Sequence, residues 1–473
     1  MLSYVLKRKI ENKFVIKMRE YLDSKWTLFG ILLLALISNV FSMEIPVFYI
    51  YTILIALVCL FCDDLLPLLP IACAGYMTFS KPNNPLSEDQ TSIFIKPVGK
   101  INMIIIGVLI AIFVITRLVF DIINHKERLK VPKLLIGYVA LGISYIFAGL
   151  FSGEYEFRSS FFGLVEILTL SFCYFIFYFT VDWKKVNKDY FALLFTSLSV
   201  MISFEIIGML IHSGFFSTTG DFDRRLLFTG WGINNNVGGQ ACICLPAAFY
   251  FSCTKKNGWI FTLLGTFNYL CLLCTQSRAS MLCGSFFYLC CLVIVMIKSV
   301  NRKANIIVYI SLLLSITAFA FIFKTKIEEL FSSVIDKGLD DNGRFEIYEI
   351  GINNFKESWV LGKGWYCSGT FQWGVYDPDD FLPPRYHNTI IQLIASGGIV
   401  MLGAYSYHRF ETLKLFFKNF SLEKLFMGLC IGGLLSTSLL DCHFFNLGPG
   451  FLYSALLLLM EISDNNNLVK VNN

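Results

Sequence analysis

The sequence predicts an all-α fold, a polytopic bundle of about 12–14 transmembrane helices with one large extracytoplasmic loop that contains an amphipathic helix. Of the 473 residues, 56% are hydrophobic and 15% are charged, whereas soluble domains carry about 25% charged residues. Apolar runs of roughly 17–22 residues recur from Trp26 to Glu461, and each is long enough to cross a bilayer as a helix. These runs lack the two-residue alternation of a membrane β-barrel, so a helical bundle is the remaining way to satisfy backbone polar groups in lipid.

Fourteen segments are predicted to span the membrane. The second and third are short and are separated by Cys62, Asp63 and Asp64, so a single broken or re-entrant element is an alternative there. The predicted spans are residues 26–43, 45–61, 65–79, 101–120, 133–151, 161–181, 190–212, 237–253, 259–275, 279–297, 306–323, 388–407, 424–440 and 449–462.

Lys and Arg residues are distributed unevenly between the two sides of this map. The side that holds both termini has 24 of them and the opposite side has 14, or 7 when the long loop 324–387 is left out. Because basic residues concentrate on the cytoplasmic side, both termini are predicted to be cytoplasmic.

Five regions follow from this topology. They are the basic N-terminus 1–25, the transmembrane bundle 26–323, the extracytoplasmic loop 324–387, the C-terminal spans 388–462 and the tail 463–473. The start of the chain is too charged for a cleaved signal peptide, so the first span is expected to act as an anchor.

The fifteen Cys residues do not indicate a disulfide scaffold or a metal site. Most fall inside apolar runs, where a thiol acts as a small hydrophobe. Cys271 and Cys274 form a CxxC pair, but no second pair or His lies at zinc-binding spacing. The acidic cluster Asp377–Asp380 contains Pro378 and is interpreted as a turn in preference to a cation site. No metal or other cofactor is predicted.

The loop 324–387 is the predicted location of the function. It contains three of the seven Trp residues, including Trp365 and Trp373, an aromatic content that disordered segments lack. Such rings can bind a ligand by stacking or anchor the loop at the membrane interface. Seven basic against eleven acidic residues argue for a discrete anion site and against general attraction of anions.

An amphipathic helix is predicted to start near Arg344. Phe345, Tyr348, Ile352 and Phe355 recur at steps of three and four residues, so this stripe is expected to lie on the bundle or in the interface. A cation at a helix N-terminus is unfavourable, and Arg344 is therefore either solvated or bound to an anion shared with the free N–H groups.

His387 stands at the mouth of a predicted span, between Arg385 and Asn388 on its two sides. An imidazole there is well placed for proton transfer, although interfacial packing or capping is an alternative role.

Other arginines are predicted on the same side of the membrane. Arg278 lies in a tight hairpin between two spans, where it either snorkels to the interface or holds a phosphate in a bidentate manner. Arg224 and Arg225 add two cations, which a solvated loop would also explain.

Five motifs in this order resemble the O-antigen ligase and polymerase superfamily of bacterial membrane glycosyltransferases. They are the Asn-rich start of a span with an internal Pro (Gly232–Pro246), the hairpin Thr275–Ala279, the helix start Gly343–Arg344, the closing segment Trp359–Gly364 and the pair His387–Asn388. The resemblance covers roughly residues 230–410 by motif, and the whole chain by span layout.

The resemblance implies a site and its partners. His387 would be the catalytic base, and Arg344, Arg278, Arg224 and Arg225 would bind the pyrophosphate of an undecaprenyl-pyrophosphate-linked oligosaccharide. Asn388, Arg385, Trp365 and Trp373 would contact the donor or the glycan acceptor. The lipid bilayer and a chain-length regulator are further expected partners, and no nucleic acid is expected.

The preferred functional hypothesis is polymerisation of lipid-linked repeat units into a surface polysaccharide, because fourteen spans resemble the polymerase branch more than the ligase branch. Attachment of the glycan to a lipid or protein acceptor, as in an O-antigen ligase or oligosaccharyltransferase, is the alternative. A transporter of the lipid-linked glycan would need charged residues along the spans, of which Glu205 is the one deep carboxylate. A structural assembly partner is the third hypothesis.

Overall fold

The computed structural model describes residues 13–41, 43–79, 97–125, 130–153, 155–216, 234–337, 343–366 and 385–471. Within these ranges all regular structure is helical, which confirms the predicted fold class. The helices are α1 (Lys13–Leu22), α2 (Lys25–Phe41), α3 (Glu44–Phe61), α4 (Leu68–Phe79), α5 (Pro97–Asn124), α6 (Leu135–Ile146), α7 (Phe157–Thr180), α8 (Tyr190–His212), α9 (Asn234–Cys244), α10 (Pro246–Thr254), α11 (Gly258–Cys274), α12 (Arg278–Lys298), α13 (Arg302–Ile322), α14 (Lys324–Lys337), α15 (Arg344–Glu357), α16 (Thr389–Phe417), α17 (Leu422–Leu440) and α18 (Leu447–Val471).

Every predicted span coincides with helical structure. In the described part of the chain, eight spans are long and apolar enough to cross a membrane, namely those on α5, α7, α8, α9 with α10, α12, α13, α16 and α17. The remaining predicted spans lie on shorter apolar helical stretches, such as Gly448–Ser463 within α18, or in α2 on the second half of a pair bent by 64° against α1. The protein is thus a multi-pass membrane protein, and the number of crossings beyond eight stays a prediction.

The chain folds into two compact units. The first consists of Met1–Lys130 with Cys173–Phe331, and the second of Val131–Phe172 with Ser332–Asn473. Both units are discontinuous in sequence, because Val131–Phe172 belongs to the same unit as the C-terminal third of the chain.

In the first unit, a buried arginine closes the end of α3. Arg117 donates to the carbonyl oxygens of Cys59, Cys62 and Asp63 at 2.9 Å each, and its Nε lies 3.0 Å from Asp121. These carbonyls have no partner within a helix that ends at Phe61, so the guanidinium supplies their missing donors. These bonds hold the turn between α3 and α4, where the sequence left a single broken or re-entrant element as an alternative.

In the second unit, α16 is the central helix. It packs against α6, α15 and α17, while α17 also packs against α18. Helix α15 starts at Arg344, as the sequence predicts, but its buried face consists of Ile347, Gly351 and Asn354. The predicted stripe largely faces outward, with Phe345 and Ile352 exposed. A glycine explains the difference, because a Cβ on Gly351 would lie 2.4 Å from Ile391 of α16.

Helix α16 is broken at Gly398, which has φ +62° and ψ −157°. The segment after α15 fills the break with main-chain hydrogen bonds. Lys363 and Gly364 donate to the carbonyl oxygens of Ala395 and Ser396, while Ile399 donates to that of Trp359. A helix can be interrupted at membrane depth only where other protein groups satisfy the freed backbone, and this segment does so.

Candidate functional site

The predicted base His387 lies beside a carboxylate that is distant in sequence. Its Nδ1 is 2.9 Å from Oδ1 of Asp441, the residue that follows the last turn of α17. The His387 side chain is 37% exposed, whereas that of Asp441 is 11% exposed. The pair therefore consists of an accessible imidazole and a shielded carboxylate, both in the second unit.

Asn388 joins the two helices that carry this pair. Its Oδ1 caps α16 by accepting hydrogen bonds from the backbone N–H groups of Ile390 and Ile391 at 2.9 and 3.1 Å. Its Nδ2 donates to the carbonyl oxygen of Leu439 in the last turn of α17 at 2.9 Å. An Asn at this position satisfies both helix ends at once.

Arg344 also approaches Asp441, at the carboxylate oxygen that His387 does not contact. Its Nη1 donates to the carbonyl oxygen of Leu440, and its Nη2 is 3.8 Å from Oδ2 of Asp441. The Arg344 side chain is 25% exposed, so it is anchored internally while part of its surface stays accessible. The structure thus brings together three of the residues predicted from sequence, His387, Asn388 and Arg344.

Asp441 is held in its ionised form. Burial alone would raise the pKa of this carboxyl, but the hydrogen bond from His387 and the positive charges of His443, His387 and Arg344 outweigh burial and lower the pKa to about 2. Burial in turn lowers the pKa of the neighbouring His443 imidazole.

This arrangement can activate a hydroxyl group. A carboxylate at Nδ1 favours the tautomer that carries its proton on Nδ1, which leaves the lone pair of Nε2 for an incoming proton. The same carboxylate then stabilises the imidazolium that forms. Together with a partly exposed guanidinium, the pair has the parts needed for a group transfer from a phosphate ester.

Arg385 occupies a different environment from the one predicted. Its Nη2 donates to Oε1 of Glu166 at 2.9 Å and to the carbonyl oxygen of Phe445 at 3.0 Å. The guanidinium also lies 5.3 Å from the ring centroid of Phe162. Because these contacts turn the side chain into the second unit, the structure favours a role in holding the segment before His387 over the predicted substrate contact.

Trp365 is likewise internal, with 1% of its surface exposed. Its indole Nε1 donates to the carbonyl oxygen of Tyr145 at 3.0 Å, and its ring packs edge-on against Phe162 and Phe445. These contacts favour packing over the predicted substrate contact.

The other predicted residues are distributed as follows. Arg278 is the first residue of α12, in the first unit. Arg224, Arg225, Trp373 and the acidic cluster Asp377–Asp380 lie outside the described residues. In the part of the chain that the structure describes, there is no group of three or more His, Cys, Asp and Glu side chains arranged to hold a metal ion.

Asp441 was not predicted from the sequence. A signal for it exists, because Asp441-Cys442-His443 follows a predicted span and therefore lies on the same predicted side as His387. The positive-inside analysis counts Lys and Arg residues alone, and a short connection without either type carries no weight in it.

Comparison with protein families gives a match over the region that carries Arg344, His387 and Asn388. A family model described as O-antigen ligase matches residues 260–406. The match includes Arg278, Arg344, His387 and Asn388, and it ends before Asp441. None of the curated proteins matches the chain significantly.

Proposed function

Because the chain belongs to the O-antigen ligase and polymerase superfamily, we propose that it transfers glycans from undecaprenyl-pyrophosphate-linked oligosaccharides on the outer face of the cytoplasmic membrane. In the preferred form of the proposal, the acceptor is another lipid-linked repeat unit and the product is a surface polysaccharide. The observation that carries the proposal is the 2.9 Å contact between His387 and Asp441.

The proposed reaction is one displacement at the anomeric carbon of the donor sugar. The acceptor hydroxyl loses its proton to Nε2 of His387 as its oxygen forms the new glycosidic bond. The bond between the anomeric carbon and the pyrophosphate oxygen breaks, and that oxygen keeps the electron pair. Asp441 stabilises the imidazolium until the proton passes to solvent.

The leaving lipid pyrophosphate carries several negative charges, and Arg344 is the proposed ligand for them in the second unit. An arginine presents paired donors to phosphate oxygens and stays charged at any working pH. Its bond to the carbonyl of Leu440 holds the guanidinium in place before substrate arrives. Arg278, in the first unit, and Arg224 and Arg225, outside the described residues, stay predictions that the family resemblance alone supports.

Ligation to a lipid or protein acceptor is the second candidate function. The description of the matching family as O-antigen ligase favours it, while the predicted fourteen spans favour polymerisation. Both reactions use the same base and the same leaving group, and they differ in the acceptor alone.

The test is electrophoresis of the products that purified protein in liposomes makes from the lipid-linked repeat units of its own organism. Polymerisation predicts a ladder of lengthening lipid-linked glycans with wild-type protein. We expect the ladder to disappear in His387→Ala and Arg344→Ala and to persist in His125→Ala, a matched control in another connection.

The outcomes separate the alternatives. A product that appears only after a lipid or protein acceptor is added would support ligation. Full activity of both His387→Ala and Arg344→Ala would contradict the proposed site.

A further inference from the structure

Gln392 is a buried amide one turn into α16, five residues after His387. It is 0% exposed, although an amide placed among apolar helices needs hydrogen-bond partners to be tolerated. Its Nε2 donates to Oγ of Ser396 at 2.9 Å. Its Oε1 faces away from Ser396, toward the two segments that carry His387 and Asp441.

Oε1 of Gln392 contacts both segments. It accepts a hydrogen bond from the backbone N–H of Tyr386 at 3.1 Å, and it lies 3.9 Å from Sγ of Cys442. Tyr386 immediately precedes His387, and Cys442 immediately follows Asp441. One oxygen atom therefore joins the neighbours of both members of the pair.

We propose that Gln392 is a positioning residue that sets the relative placement of His387 and Asp441 through these two contacts. It touches neither the imidazole nor the carboxylate in the described contacts, so its effect is exerted through Tyr386 and Cys442. For catalysis, the inference rests on the glycosyl transfer proposed above, whereas the positioning itself does not.

The backbone of His387 shows why such a support is needed. Its φ is +51°, in the left-handed region that few residues other than glycine adopt. Strained conformations of this kind persist only where the surroundings hold them. The hydrogen bond to Gln392 fixes the peptide between Arg385 and Tyr386, one residue before the strained His387.

Other contacts hold the same segment without reaching Asp441 or Cys442. Tyr348 donates to the carbonyl oxygen of His387 at 3.3 Å, and Asn354 donates to the hydroxyl of Tyr386 at 2.9 Å. Loss of Gln392 would therefore leave the segment in place, with the bond from Asn388 to Leu439 intact, and would remove only the link between Tyr386 and Cys442 that adjusts His387 against Asp441. This predicts a catalytic defect without unfolding.

The activity test compares Gln392→Met with Gln392→Glu. Met is similar in size but accepts no hydrogen bond from Tyr386, whereas Glu keeps an oxygen at that position. Misplacement of catalytic groups by about 1 Å lowers rates by up to about 100-fold. For Gln392→Met we expect a fall in kcat of about 10- to 100-fold with an unchanged KM for the donor, and for Gln392→Glu a rate nearer wild type.

A second measurement does not depend on transfer. Carbethoxylation of His387 by diethyl pyrocarbonate, followed by mass spectrometry of the peptide, reports the nucleophilicity of its free nitrogen. Asp441→Asn gives the rate for an imidazole without its carboxylate. We expect Gln392→Met to move the rate toward that of Asp441→Asn, and Ser396→Ala, which leaves the Oε1 contacts intact, to keep the wild-type rate.

The results distinguish this inference from the proposed function. An unchanged His387 labelling rate in folded Gln392→Met would overturn the positioning role, whatever the transfer assay shows. A shifted labelling rate without transfer by any form, wild type included, would retain the positioning role and refute the glycosyl transfer. If Gln392→Met does not fold, Cys442→Val breaks one of the two contacts and is subject to the same criteria.

Discussion

Asp441 is the residue on which the account of the site depends. Its Oδ1 lies 2.9 Å from Nδ1 of His387 and accepts a hydrogen bond from the backbone N–H of Cys442 at 2.9 Å. Its Oδ2 lies 3.8 Å from Nη2 of Arg344. These three contacts orient the carboxylate and keep it charged. Charge and orientation are the two properties that a carboxylate needs in order to support a catalytic imidazole.

The pH dependence of transfer follows from this environment. The pKa of Asp441 is lowered to about 2, and since a depressed pKa means that the ionised form is kept above that value, the carboxylate stays charged throughout the working range. Between about pH 8 and 5 we therefore expect protonation of Asp441 to contribute nothing to the pH dependence of log kcat/KM, whose slope should not exceed one proton. Initial rates across this range provide the measurement, and a slope of two would show that the carboxylate titrates as well.

The pair Arg385–Glu166 is predicted to stabilise the fold of the second unit. Its side chains are 17% and 4% exposed, and removal of one partner leaves a buried charge without compensation. We expect Glu166→Ala to lower the free energy of unfolding by about 3–5 kcal/mol.

Glu156→Ala is the matched control, because Glu156 pairs with Arg158 at 3.8 Å with a side chain that is 59% exposed. This change should lower the free energy of unfolding by about 1 kcal/mol or less. Thermal unfolding in detergent, followed by the monodisperse fraction, compares the two variants. Equal losses would show that the buried pair has no special weight.

At the scale of secondary-structure elements, the break in α16 shapes the site. The part of α16 before Gly398 carries Asn388 and Gln392, and the Trp359–Gly364 segment holds its end through main-chain hydrogen bonds. The half-helix that presents His387 is consequently fixed at both ends, by the Asn388 cap and by this segment.

Gly398→Ala tests the importance of the break. At φ +62°, a Cβ on Gly398 would lie 2.4 Å from the carbonyl group of Val360, and backbone cannot move aside as a side chain can. We expect a loss of about 1–3 kcal/mol in the free energy of unfolding and reduced transfer. Gly403→Ala is the control on the same helix, since no atom lies within 4 Å of its Cβ position. A wild-type melting temperature for Gly398→Ala would contradict this account.

The sequence predicted elements better than contacts. Hydropathy located the helices because a run of about twenty apolar residues has few possible structures other than a membrane-spanning helix. The pair Gly343–Arg344 marked the start of α15 correctly. The stripe predicted to lie on the bundle or in the interface is not the buried face of α15, since apolar periodicity cannot show that small Gly351 packs against Ile391 while Phe345 is exposed. Arg385 and Trp365 lie in the loop that the sequence singles out. The directions of their side chains, however, depend on Glu166 and Tyr145, which lie more than 200 residues earlier.

At the scale of the whole molecule, the protein is a multi-pass membrane protein whose residues 260–406 match a family model described as O-antigen ligase. The His387–Asp441 contact joins residues 54 positions apart. Such a contact depends on how α16 and α17 return to the same end of the unit, which a single sequence reveals only after topology is known.

The orientation of the chain is a prediction at this scale. The excess of Lys and Arg on one side places both termini in the cytoplasm. Fusions of green fluorescent protein to either end should fluoresce, and alkaline phosphatase fused at the same points should be inactive. An active C-terminal phosphatase fusion would require an odd number of crossings and would place His387 on a different side.

The most direct test of the central claim is a double-mutant cycle on the initial rate of glycan transfer by His387→Ala, Asp441→Asn and the combined variant in liposomes. If the two residues act as one catalytic unit, each single change lowers kcat by about 100-fold or more, and the combined variant is hardly slower than His387→Ala. Independent effects that multiply, or transfer at the wild-type rate in either single variant, would contradict the account.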